Sequence, residues 1–320
     1  MKEVSMTTEQ SAVKMPPLLV IKLRAPFCTA DIVPVSVGTA VAWATTGAFN
    51  LWYFLLALFG AICINAGTNM TNDYFDHKWG SDEANTEFAS PFTGGSRLIQ
   101  MGIVKPSTYL WQGLGFFVLG SLIGLFLVFT RSQSILWIGI AGVFCGLFYT
   151  APPFRLVRAI IGELSVGASM GPLMVLGAYI VQTQTVDWEP VFAGLPIGIL
   201  VALILWINEF QDAPADASVG KNHLVVRLGR RRAATVYGML LAAVYISLIA
   251  GVLFGGVAPL TLLALLTIPQ AIGAYRVARI HYDHPKELVP ANAATIQLHL
   301  RIGLLIALGY VLQRVVEWLL

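Results

Sequence analysis

The stretch "LWYFLLALFGAICINAGTNMTNDYFDHKWGSD", residues 51–82, runs from an apolar segment straight into amides and carboxylates. A helix crosses the lipid core with about 20 mainly apolar residues, and the run from Leu51 to about Asp76 is long enough to do so. Carboxylates next to lipid are costly and mark functional positions. Residues three and four apart share a helix face, so Asn69, Asn72, Asp73 and Asp76 are expected to form one polar stripe, with Asn65 a turn deeper. The segment therefore predicts a membrane helix whose end carries chemistry.

The rest of the chain reads the same way. Its 320 residues are 57% hydrophobic and 12% charged, with a mean hydropathy of +0.73, outside the range of a soluble domain. Apolar stretches at roughly 29–47, 51–76, 108–130, 134–150, 162–183, 190–212, 234–254, 257–277 and 299–320 predict an all-α integral membrane protein, nine helices around a central cavity. Residues 1–20 lack the apolar core and cleavage site of a signal peptide and are expected to be a cytoplasmic tail, leaving 21–320 as one transmembrane domain. Cys28, Cys63 and Cys145 have no paired or metal-like spacing. Every Lys and Arg except Arg131 and Arg314 falls on one side of such a bundle. The positive-inside rule makes that side cytoplasmic and places the N-terminus and the opening of the cavity there. The small positive net charge is thus a matter of topology, and nothing points to nucleic acid.

A second polar helix end, "NEFQDAPADASVGK" at 208–221, echoes the first. Asn208, Asp212 and Asp216 run at i, i+4 and i+8, and Pro214 predicts that the helix ends or kinks there, with Asp216 approaching from a loop. The echo suggests two related four-helix halves. Facing carboxylate stripes are unstable without cations, and oxygen donors without Cys or His suit a hard ion such as Mg²⁺. His77, about 100° around the helix from Asp76, is expected to point elsewhere.

Mg²⁺ held by carboxylates commonly also takes phosphate oxygens, and basic residues lie close by. Arg97 follows a Gly pair in "SPFTGGSRLIQ" (90–100), and Lys221 opens "KNHLVVRLGRRR". A diphosphate substrate accounts for both features. Helix capping accounts for a single Asp, not for two matched clusters reaching back to Asn65. A cation-coupled transporter is the competing reading, but no acid near the outer half of the neighbouring spans continues a path.

The two Asp-rich motifs resemble those of the UbiA superfamily of intramembrane prenyltransferases. "LRAPFCTADIVPVSVGTAVA" (23–42) and "FYTAPPFRLVRAIIGELSVGASMGPLMVLGAYIVQT" (148–183) look like its 1,4-dihydroxy-2-naphthoate branch. The resemblance implies a nine-helix fold in which Asp73, Asp76, Asp212 and Asp216 hold Mg²⁺ and are catalytic. Asn69, Asn72, Asn208, Arg97, Lys221, Arg24 and Tyr149 would bind substrate. The implied reaction ionises a polyprenyl diphosphate, and an aromatic acceptor attacks the allylic cation with loss of CO₂. Other acceptors, such as 4-hydroxybenzoate, homogentisate or a chlorin, stay open. Many members carry an Asp at the position of Gly80; here Asp82 follows instead, which leaves its role, like that of Glu163, undecided.

Overall fold

A computed structural model describes residues 18–22, 24–159 and 161–320, so most of the expected 1–20 tail lies outside the described residues. The described residues are overwhelmingly helical, with no strand among them. The long segments are α1 (Thr29–Thr46), α2 (Leu51–Trp79), α3 (Pro106–Thr130), α4 (Ser134–Phe148) and α5 (Ile161–Thr183). They continue with α6 (Glu189–Ser218), α7 (Arg230–Leu253), α8 (Pro259–His281) and α9 (Pro285–Leu319).

Local chemistry sets the ends. The Asn50 side chain accepts from the Tyr53 amide at the start of α2. Gly47 closes α1 and Gly80 closes α2, both at positive φ, as expected of a left-handed C-terminal cap. Pro106 starts α3, where a missing N–H costs nothing.

Among the described residues, seven helices are long and apolar enough to cross a membrane; α1 and α4 are not among them. The α4 helix has only 15 residues. The α1 helix is wrapped by α5, α6 and α9, so most of its residues are buried and it needs no lipid-facing apolar surface. In each half of the chain the second long helix packs along the third, α2 on α3 and α6 on α7.

Two expectations are corrected. Pro214 does not end α6, which continues to Ser218 with Asp216 still on the helix and not on a loop. A proline withholds the N–H that would reach the carbonyl four residues back; that carbonyl, on Phe210, instead accepts from Arg230 Nε at 2.8 Å. The last helix begins at Pro285, well before the apolar stretch expected at 299, because one face of its polar first turns, with Leu288, Ala291 and Asn292, is buried and bonds to α6 through Gln211 and the Ile207 carbonyl.

Small residues allow a close crossing of α5 and α6. The middle of α5, Ser169–Leu173, widens into a π turn around Pro172. There a Cβ on Gly171 would lie 2.3 Å from the Gly198 Cα of α6. Gly171→Leu must push α5 away from α6, so the purified protein is expected to melt earlier by the equivalent of about 1–3 kcal/mol. An unchanged melting temperature would mean that the crossing is not closely packed.

Candidate active site

One cavity of about 780 Å³ runs through the bundle. Its polar end is built by the last turns of α2 and α6 and by the segments that follow them. Asn69, Asn72 and Asp76 come from α2; Asp82, Asn85, Thr93, Gly94 and Gly95 come from the next segment. Asn208, Glu209, Asp212 and Asp216 come from α6, with Lys221 just beyond, and Arg24 and Tyr149 complete the lining. Away from this end the wall turns to residues such as Ile64, Ile123, Leu127, Ile135 and Val181.

The acids are held apart by few cations. Lys221, 3% exposed, bridges the two helices, with Nζ 2.8 Å from Asp76 Oδ1 and 3.0 Å from Asp216 Oδ1. Burial works to lower the pKa of this ammonium, but the two carboxylates outweigh it and hold the pKa above its ordinary value. The Asp212 Oδ1 accepts from Asn85 Nδ2 at 2.6 Å, and Asn72 Nδ2 donates to Asp76 Oδ2 at 3.1 Å. Asp82 is buried, and that burial, with the charges of Asp76 and Asp73 added, pushes its pKa well above the usual carboxylate range.

Behind this front lies a buried group that the sequence reading passed over. His223 has Nε2 3.3 Å from Asp216 Oδ2 and Nδ1 3.4 Å from Glu209 Oε2. Burial opposes its charge, but the two carboxylates overcome that and raise its pKa to about 10. Glu163 joins the same cluster. Its Oε1 accepts from the Leu224 amide at 2.8 Å, so it caps the short helix Leu224–Leu228. Asn292, fully buried near the start of α9, donates to Asn208 Oδ1 at 2.7 Å. The position of Glu209 next to Asn208 and of His223 two residues after Lys221 was the available signal for two of these. Asn292 had none, because it reaches the site from a helix far along the chain.

Two of the expected site residues stand elsewhere. Asp73 is buried but does not line the cavity. Its position lies about 100° around the helix from Asn72, and its carboxylate is taken by Arg24 and by the Ser96 amide at 3.2 Å. Arg97 turns from the cavity as well: Nη1 donates to the Asp82 carbonyl at 2.5 Å and the guanidinium stacks 4.2 Å from the centre of the Phe88 ring. The backbone before it faces the site instead. Gly95 sits at positive φ, where a Cβ would lie 2.9 Å from Asp73 Oδ1 and 3.3 Å from Asp82 Oδ2. Glycine there lets the loop close over the carboxylates. His77 pairs with Glu83 at 2.5 Å, away from the cavity, as its helical position predicts.

An amide-and-carboxylate pole facing an apolar tunnel is the layout of a site for a molecule with an anionic head and a hydrocarbon tail. Residues 32–297 match the UbiA prenyltransferase family.

The chain belongs to the UbiA prenyltransferase family.

It is 31% identical over 290 residues to the 2-carboxy-1,4-naphthoquinone phytyltransferase of Synechocystis sp., covering 90% of this chain and 91% of that one. The 1,4-dihydroxy-2-naphthoate octaprenyltransferase of Bacillus subtilis is 29% identical, with 88% of each chain covered. Among solved structures, a UbiA homolog from Archaeoglobus fulgidus superposes with a TM-score of 0.64 at 16% identity, covering 92% of this chain and 98% of that one. The same homolog bound to DMAPP and Mg²⁺ gives 0.60 at 15% identity, with 90% and 98% covered. These structures establish the fold. Membership makes this UbiA-family chain an integral membrane prenyltransferase and sets aside the transporter.

Proposed function

We propose that this prenyltransferase moves a polyprenyl group from polyprenyl diphosphate to 1,4-dihydroxy-2-naphthoate, with loss of the acceptor's carboxyl group as CO₂. The observation that carries the reading is the single cavity joining a carboxylate-and-amide pole to a long apolar wall. The naphthoate and naphthoquinone acceptors in the names of its relatives favour the branch. Residues 21–320 form the catalytic domain, a nine-span bundle with the polar pole on the cytoplasmic side, in keeping with the Lys and Arg distribution.

The pole fits Mg²⁺. Asp76, Asp82, Asp212 and Asp216 offer oxygen donors only, the set a hard divalent ion selects. Asp76, Asp212 and Asp216 would hold the ion; when bound, Mg²⁺ neutralises the diphosphate and the charge that grows as it leaves. Asp73 acts through Arg24, which it holds at the cavity edge. Asn69, Asn72 and Asn208 present amides to the diphosphate oxygens. Lys221 and Arg24 stabilise developing negative charge from fixed positions, which needs little reorganisation during the reaction. Tyr149 lines the cavity close to Glu209 and Glu163 and would contact the acceptor. The wall keeps water from an allylic cation.

The test uses purified protein in lipid with Mg²⁺, an all-trans polyprenyl diphosphate, and 1,4-dihydroxy-2-naphthoate or 4-hydroxybenzoate in parallel, followed by mass spectrometry. A decarboxylated prenyl-naphthol from the first acceptor alone is expected. Product from 4-hydroxybenzoate alone would overturn the acceptor assignment and keep the chemistry.

A further inference from the structure

The deep side of the polar pole holds a carboxyl group that the mechanism above does not use. Asp31, on α1, is fully buried and lines the cavity. Its Oδ2 accepts from Asn65 Nδ2 at 2.7 Å, while its Oδ1 is buried with no hydrogen-bond partner. Among the described residues no Lys, Arg or His forms an ion pair with it, since the nearby cations are committed elsewhere, Arg24 to Asp73 and Lys221 to Asp76 and Asp216.

Position narrows what can complete it. The Asn65 Oδ1 accepts from Asn69 Nδ2 at 3.1 Å, so Asp31 stands at the inner end of a polar rail that continues through Asn72 to Asp76. Asn65 precedes Asp76 by eleven residues, about 16 Å of helix axis. The diphosphate fills the near part of that length beside Asn69 and Asn72. The reacting carbon and the acceptor ring then lie at the level of Asp31, where the polar pole meets the apolar wall.

A buried acceptor atom left unmatched costs free energy, and most of the proposed reactants cannot match it. The polyprenyl tail carries no hydrogen-bond donor. The diphosphate is an anion and is repelled by a carboxylate. The phenolic hydroxyl of the acceptor is the donor that remains. Resting on the function proposed above, we infer that Asp31, steadied by Asn65, is the residue that recognises the acceptor, its Oδ1 accepting a hydrogen bond from a ring hydroxyl. That bond fixes how the ring faces the allylic carbon, and it selects hydroxylated aromatics over analogues that lack the group.

The test is steady-state kinetics on the full chain in lipid with Mg²⁺, varying the acceptor and the polyprenyl diphosphate separately. Wild type, Asp31→Ala and Asp31→Asn are compared with 1,4-dihydroxy-2-naphthoate and with its 1-hydroxy and 4-hydroxy counterparts. In Asp31→Asn the Asn65 donor keeps the new carbonyl turned toward itself, so an NH₂ group faces the acceptor and the charge-assisted bond from the ring hydroxyl to a carboxylate oxygen is lost without loss of volume. Both variants are expected to lose about tenfold to a hundredfold in kcat/KM for the dihydroxy acceptor, mainly through its KM, while KM for the diphosphate stays within about twofold. The wild-type preference for the dihydroxy compound over one of the two monohydroxy compounds should vanish. An unchanged acceptor KM, or a diphosphate KM that rises in step with it, overturns the inference while leaving the proposed function in place. Should Asp31→Ala fail to fold, Asp31→Asn carries the same comparison. No turnover of any of these naphthoates by wild type would overturn the proposed function, and this inference with it.

Discussion

Asp76→Ala and Asp212→Ala are each expected to lower Mg²⁺-dependent product formation by about a thousandfold or more, with the protein still folded. The two carboxylates face one cavity from different helices, and each would supply donor oxygens to a divalent ion that the other cannot replace alone. Loss of such a group removes charge stabilisation where it matters most, in the transition state. Stability should hold because the pole is crowded with acids. Removing one relieves repulsion among the rest, and without Asp76 the Lys221 ammonium keeps Asp216 at 3.0 Å. Turnover is read by mass spectrometry and folding by thermal melting of the same preparation. Full turnover in either variant would remove these residues from the site.

Lys221→Met is expected to give the largest loss of stability of any single substitution at the pole. Among the described residues, Lys221 is the one side chain that ties Asp76 of α2 to Asp216 of α6 by ion pairs, and it is almost wholly buried. Breaking a buried pair by removing one partner costs about 3–5 kcal/mol, because the remaining charges lie uncompensated. Methionine matches the stem in length and removes only the charge. Melting should therefore fall sharply without added metal, and millimolar Mg²⁺ should restore part of the loss by taking over the neutralisation of the two carboxylates. A variant that melts like wild type in the absence of Mg²⁺ would mean that the acids do not repel one another, and the case for a cation at the pole would weaken.

What could be read in advance depended on whether a signal was local. The polar stripe of α2 was legible because helical period and lipid solubility act on neighbouring residues; Asn69, Asn72 and Asp76 do share a cavity face. Asp73 satisfies the same spacing rule yet leaves the cavity, because Arg24 and the Ser96 amide, both distant in sequence, compete for its carboxylate. Arg97 was singled out for following two glycines. The turn those glycines make sends its side chain to the Asp82 carbonyl and leaves the Gly94 and Gly95 backbone at the cavity.

The sequence by itself determined the class of protein, the apolar spans and the two acidic helix ends, because hydropathy and the helical period are properties of contiguous residues. The tertiary structure alone decided that Lys221 lies between two helices, that Arg230 satisfies the carbonyl Pro214 leaves open, that Asn292 supports Asn208, and that Asp31 meets Asn65 at the cavity with its other oxygen unpaired. Each of these pairs residues far apart in the chain. Their meeting depends on how the helices pack, which follows from small-residue crossings such as Gly171 on Gly198 and not from the pattern of any one segment.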